Sequence, residues 1–77
     1  MKSVHSKEYK IFLRRLYHAR IQSGLTQSRV AELLGKPQSF ISKCEQGERV
    51  VNVIDLYKFS KIYDKSLNYF FEEGEDE

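Results

Sequence analysis

At 77 residues the chain has the size of one domain with a single modest core and no second lobe to form a substrate cleft, which argues against an enzyme. Hydrophobic residues make up 40%, with five Phe, five Tyr and no Trp, a composition that excludes a disordered chain and suits a compact helical domain. The net charge of +2 hides an asymmetry: residues 1–50 hold ten Lys/Arg against four Asp/Glu, and residues 51–77 hold three against seven. A basic half attracts a polyanion through phosphate contacts and counterion release, while an acidic half should face away from it.

Residues 1–6 are polar and read as a frayed start, with Ser6 or a neighbour capping the first helix. That helix is predicted over residues 7–23, with Tyr9, Phe12, Leu16 and Ala19 as its apolar stripe and Lys10, Arg14, Arg15 and His18 on much of the rest. Gly24 ends it, and Arg20 lies just before this stop. Thr26 then caps a second helix whose Val30, Ala31 and Leu34 share one face, and Gly35 ends that helix in turn. Pro37 is placed where a third helix begins, because its ring fixes φ near the helical value and its missing N–H would be unpaired there. Two short helices joined by a turn this tight form a helix-turn-helix.

The third helix, residues 37–46, points Ile41 and Cys44 inward and Gln38, Ser39, Ser42, Lys43 and Gln46 outward. Amides, hydroxyls and a cation on one face are the groups that bond to base edges and phosphates in a major groove. Gln38 leads as a base contact, because its amide can meet N6 and N7 of adenine together. Ser39 and Ser42 suit shorter contacts to a base edge or phosphate, and Lys43 suits guanine or a phosphate. Phe40 falls on the flank of the core and is read equally as core packing or as a contact to a thymine methyl or sugar. Cys44 reads as a small buried apolar residue. Gln27 and Ser28 stand in the first turn of helix two, where free N–H groups and the helix dipole favour a phosphate, while Arg29 is read as a phosphate contact or as solvated.

Gly47, Glu48 and Arg49 form an exit loop, and Asn52 caps a fourth helix with Asp55 completing a shortened capping box. Its inner face is read as Val53, Leu56, Phe59, Ser60 and Tyr63. Asp64 must then take a left-handed turn, and Ser66 caps a short fifth helix over residues 67–72 whose Leu67 and Phe70 close the core. Tyr69 and Phe71 cannot both point inward from so short a helix; they are read equally as a dimer contact and as a cover for the ends of helices one and four. The domain is thus set at residues 1–72, with an acidic, disordered tail at 73–77.

One cysteine cannot close an internal disulfide, and no apolar run is long enough for a signal peptide or a membrane span, so the expected place is the cytoplasm, with no membrane association. His5 and His18 lack neighbouring ligands at metal spacing, and neither a metal nor a cofactor is expected.

The residues Arg20, Gly24-Leu25-Thr26-Gln27, Val30-Ala31, Leu34-Gly35, Ile41-Ser42, Glu45-Gln46-Gly47 and Arg49 together resemble the helix-turn-helix proteins of the lambda Cro and repressor type, the XRE family. The resemblance covers about 50 residues in register and continues more loosely from Leu56 to Phe71. It implies an all-α, five-helix domain that binds operator DNA as a homodimer and regulates transcription. It also implies that Arg20 pairs with Glu45, that Gln27 holds the DNA backbone, and that Arg49 touches it. Two departures stand out: Asp64 replaces the usual glycine before helix five, and Lys65 replaces an apolar residue, which bears on local packing. A protein-interaction module or antitoxin-like partner, using the same fold through its C-terminal helix, is the alternative.

Overall fold

The computed structural model describes residues 6–73; the expectations for His5 and for residues 74–77 of the acidic tail lie outside the described residues. Among the described residues four α-helices follow one another, α1 (Lys7–Gln22), α2 (Gln27–Leu34), α3 (Gln38–Gln46) and α4 (Val53–Tyr63), and a 3₁₀ helix, Leu67–Phe71, comes last. The fold is all-α with the helix-turn-helix at α2 and α3. The fifth element is a 3₁₀ rather than an α-helix, because five residues recover too few α-type bonds to offset nucleation and the tighter winding is the usual outcome for so short a piece.

Helix starts follow from side-chain oxygen at the right place. Ser6, Thr26, Asn52 and Ser66 each accept from the N–H three residues on, at 3.0, 3.0, 2.8 and 3.2 Å. Helix α3 is the exception. Pro37 is not its first residue but its N-cap, with φ −68° and ψ 155°, and it offers no side-chain acceptor. The ring satisfies φ at either position, but the extended ψ leaves the turn before the helix, so winding begins at Gln38. At the other ends, Gly35 and Gly47 take φ values of 71° and 81°, which only glycine adopts without strain, and so fold each helix end back on itself.

The core is built from Phe12, Leu16 and Ala19 of α1, Val30 and Ala31 of α2, Phe40, Ile41 and Cys44 of α3, Phe59 and Tyr63 of α4, and Phe70 of the 3₁₀ helix. Each fully buried large side chain contributes roughly 1.5–3 kcal/mol over leaving it in water. Three sequence expectations are corrected. Val53 is 71% exposed, because it is the first residue of α4 and projects past the rim of the core, so the inner face of that helix begins at Asp55. Leu67 is 46% exposed at the start of the 3₁₀ helix, leaving Phe70 to close the core. Arg15, placed outside the apolar stripe of α1, is buried: its Nε donates to the Glu72 carbonyl at 3.0 Å and its guanidinium lies 4.7 Å from the centre of the Tyr69 ring. An arginine can occupy such a site because its stem is apolar and its flat head satisfies a carbonyl and a ring face together.

Lys65 shows the same economy. Its ammonium lies 4.6 Å from the centre of the Tyr69 ring and donates to Gln22 Oε1 at 3.0 Å, so its stem supplies the packing an apolar residue would. Asp64 adopts φ 55° and ψ 49°, the left-handed turn that brings the 3₁₀ helix back onto α1. Replacing Asp64 with glycine should raise unfolding free energy by about 0.5–1 kcal/mol, and replacing it with valine should lower it by about 1–2 kcal/mol, as read by urea denaturation.

Candidate nucleic-acid interface

The interface is organised from beneath by Arg20. Its Nε and Nη2 donate to Glu45 Oε2 and Oε1 at 2.7 and 3.1 Å, and its Nη1 donates to the Leu25 carbonyl at 3.1 Å. The two side chains are only 11% and 6% exposed. Hydrogen bonding to the carboxylate raises the Arg20 pKa above its ordinary value against the opposing effect of burial, so the guanidinium stays charged. The Tyr17 ring lies 5.5 Å from the guanidinium on one side. From α4, burial and the Glu45 charge push the Tyr63 hydroxyl well above its usual pKa.

Glu45 has a second partner. Gln27 Nε2 donates to Glu45 Oε1 at 3.0 Å, and Gln27 Oε1 accepts from Gln38 Nε2 at 2.6 Å. An unbroken chain of bonds thus runs from Arg20 in α1, through Glu45 in α3 and Gln27 in α2, to Gln38 at the exposed start of α3. The Gln38 amide is thereby oriented with its own oxygen left for another donor. Sequence reasoning assigned Gln27 to a phosphate; the structure also makes it the link between the buried pair and Gln38.

Ser39 and Lys43 are exposed on the outer face of α3, and half-buried Ser42 accepts from Gln46 Nε2 at 2.9 Å. Ser28 is exposed in the first turn of α2 and, with Thr26, Arg29, Lys36 and Gln38, lines an open groove of about 550 Å³ between the starts of α2 and α3. Arg29 is engaged by Glu32 at 2.8 Å. Arg49, in the exit loop, stands over the Phe40 ring at 4.9 Å, and Lys36 stands over the same ring at 5.0 Å. Phe40 is therefore a core residue whose ring also carries cations. Lys36 escaped the sequence reading, because it lies in the turn between α2 and α3, where helical spacing carries no information about its neighbours. The exit loop is tied to α1 where Val51 N–H donates to the Tyr9 hydroxyl at 2.9 Å.

At the far end of the fold, Tyr69 is half-buried against Arg15 and Lys65, and its buried hydroxyl has no hydrogen-bond partner among the described residues. Phe71 stacks on Phe12 at 5.9 Å yet remains 51% exposed. His18 packs against Tyr17, and among the described residues no group of three or more His, Cys, Asp or Glu side chains comes together to hold a metal. No helix among the described residues is long and apolar enough to cross a membrane.

An outward polar face on the second of two helices joined at a tight turn, seated on a buried ion pair, defines a helix-turn-helix domain. Residues 16–70 match the helix-turn-helix family, and the chain belongs to it, in its lambda Cro and repressor type. This is a family of DNA-binding transcription regulators. Two relatives, each an HTH-type transcriptional regulator PuuR, one from Escherichia coli (strain K12) and one from Shigella flexneri, are 44% identical over 62 residues, or 80% of this chain. Those 62 residues are 34% of each relative, so the chain spans about a third of their length. No solved structure matches the chain.

The geometry yields two expected outcomes. Glu45→Ala leaves a guanidinium buried without its partner and should cost about 3 kcal/mol of unfolding free energy, whereas a surface-pair loss would cost under about 1 kcal/mol; chemical denaturation distinguishes them. The Cys44 thiol is buried, and burial pushes its pKa up to about 11, so little thiolate exists at neutral pH. Ellman's reagent at pH 8 should therefore label native protein slowly and unfolded protein at once.

Proposed function

We propose that this chain reads DNA sequence by laying α3 in the major groove, and that it regulates transcription by occupying an operator as a homodimer. The observation that carries this reading is the outward amide of Gln38, oriented by Gln27 and ultimately by the Arg20–Glu45 pair. An amide held in one orientation can meet N6 and N7 of adenine without first losing its rotational freedom.

In this reading Gln38 contacts a base, Ser39, Ser42 and Lys43 make further base or phosphate contacts, and Gln27, Ser28 and Arg49 hold the backbone. The basic half of the chain, +6 over residues 1–50, supplies attraction that is independent of sequence. A two-fold dimer would set its α3 helices in successive major grooves, with half-sites about 34 Å apart on one face of the duplex. The exposed Phe71, with Tyr69 beside it, is the surface we assign to the dimer contact. The domain is taken to end near residue 72, with the acidic residues beyond it kept off the DNA by repulsion.

Selection of bound duplexes from a random pool, followed by titration at two salt concentrations, tests this. A palindrome with half-site centres about one helical turn apart, and affinity falling steeply with salt, is the expected result. Gln38→Ala should then cost about 1–3 kcal/mol and relax preference at one base pair, while Arg49→Ala should weaken all sequences alike. Uniform weakening by both variants would contradict base reading by α3, and no enrichment at all would contradict operator binding.

A further inference from the structure

The cations nearest the recognition helix are unequally committed. Arg20 is held by Glu45, and Arg29 by Glu32 at 2.8 Å. Lys36 and Arg49 form no ion pair among the described residues, yet both heads gather on one aromatic ring, at 5.0 and 4.9 Å from the centre of Phe40. The negative π-faces of the ring attract both cations, and Phe40 as a whole is only 8% exposed, so its ring is held in place by the core.

Their backbones are fixed as well. The Lys36 N–H donates to the Ala31 carbonyl at 2.9 Å, and the Arg49 N–H donates to the Lys43 carbonyl at 3.2 Å, so each cation leaves a capped helix end rather than a loose loop. One precedes α3 in the chain and the other follows it. Both charges also reach the buried Cys44, where each partly opposes the effect of burial on the thiol. Two cations with no ion pair among the described residues, both drawn to one ring of the recognition helix, raise the positive potential there, where a phosphodiester would complete it.

We infer that Lys36 and Arg49 form a phosphate clamp at the edge of the recognition helix, and that Phe40 is the positioning residue that holds both cations in place. This rests on the proposed DNA binding and adds to it a backbone contact, Lys36, and a role for an aromatic ring that does not itself touch a base. Lysine and arginine side chains otherwise lose much rotamer freedom on meeting a phosphate, and a ring that restricts them beforehand removes part of that cost.

The test uses the duplex enriched from a random pool and a random-sequence duplex of the same length, each titrated over a series of salt concentrations. Lys36→Ala and Arg49→Ala should each lower the slope of log affinity against log salt by about 1, and weaken both duplexes by a similar factor. Phe40→Leu, which keeps an apolar core residue but removes the ring face, should weaken binding about 3- to 10-fold, and Phe40→Tyr should stay within about twofold of the parent. In the Lys36→Ala/Arg49→Ala background, Phe40→Leu should change affinity by less than about twofold, because no cations remain for the ring to hold. An unchanged salt slope in Lys36→Ala overturns the clamp even if Phe40→Leu fails to fold. An equal loss from Phe40→Leu in both backgrounds overturns the positioning role and leaves Phe40 as core packing alone. A parent protein that binds neither duplex with salt dependence overturns the DNA reading and the clamp with it, whereas a parent that binds beside an unaffected Lys36→Ala overturns the clamp only.

Discussion

Glu45 carries its charge where only 6% of its side chain meets solvent, and the position of the outer face of α3 depends on how that charge is held. The two-pronged bond from Arg20 satisfies both carboxylate oxygens, and the third donor of the same guanidinium reaches the Leu25 carbonyl at the entry to α2. One flat group thereby connects α1, the α1–α2 turn and α3. The net stability gained is modest, since desolvating two charges costs most of what their attraction returns, but the geometry permitted is narrow. A hydrophobic contact in the same place would tolerate rotation of α3 about its axis; a bidentate bond does not.

That restriction is transmitted outward. Gln27 spans the distance between the buried carboxylate and Gln38, donating one N–H of its amide to Glu45 and accepting at its carbonyl from Gln38. The turn between the two helices is short enough for this because Gly35 folds the end of α2 back and Pro37 directs the chain into α3 without a side-chain cap. Around this frame the charges sort by role. Arginines that meet a carboxylate, such as Arg20 and Arg29, are structural or locally neutralised, while Lys36 and Arg49 are gathered on a ring and remain available as charge. The acidic half supplies α4, whose Phe59 and Tyr63 stack at 5.8 Å and close the core behind α3.

Most of this frame is legible in the sequence for local reasons. Thr26, Asn52 and Ser66 announce helix starts because a short polar side chain meets the third N–H onward, and Gly35 and Gly47 announce helix ends because other residues would be strained there. The inward pair Ile41 and Cys44 follows from helical spacing alone. What periodicity missed depends on which element lies across from a given face. Val53 sits at apolar spacing but beyond the edge of the core, and Arg15 sits at a charged position that the returning 3₁₀ helix covers. The sharing of Phe40 by Lys36 and Arg49 joins residues from both ends of α3, and the Gln27 bridge joins two helices at a distance only the folded turn determines.

In the proposed reading the buried ion pair acts on base recognition through Gln27 as well as on the stability of the fold. The most direct measurement is to repeat selection from a random DNA pool with Gln27→Leu and compare base preferences position by position with the parent protein. Preference should relax at the base pair affected by Gln38→Ala, even though the substituted side chain is in a different helix, because the Gln38 amide loses the bond that orients it. Retained preference at that base pair, with all sequences weakened alike, would show that Gln27 serves the phosphate backbone alone and would overturn its role in base recognition.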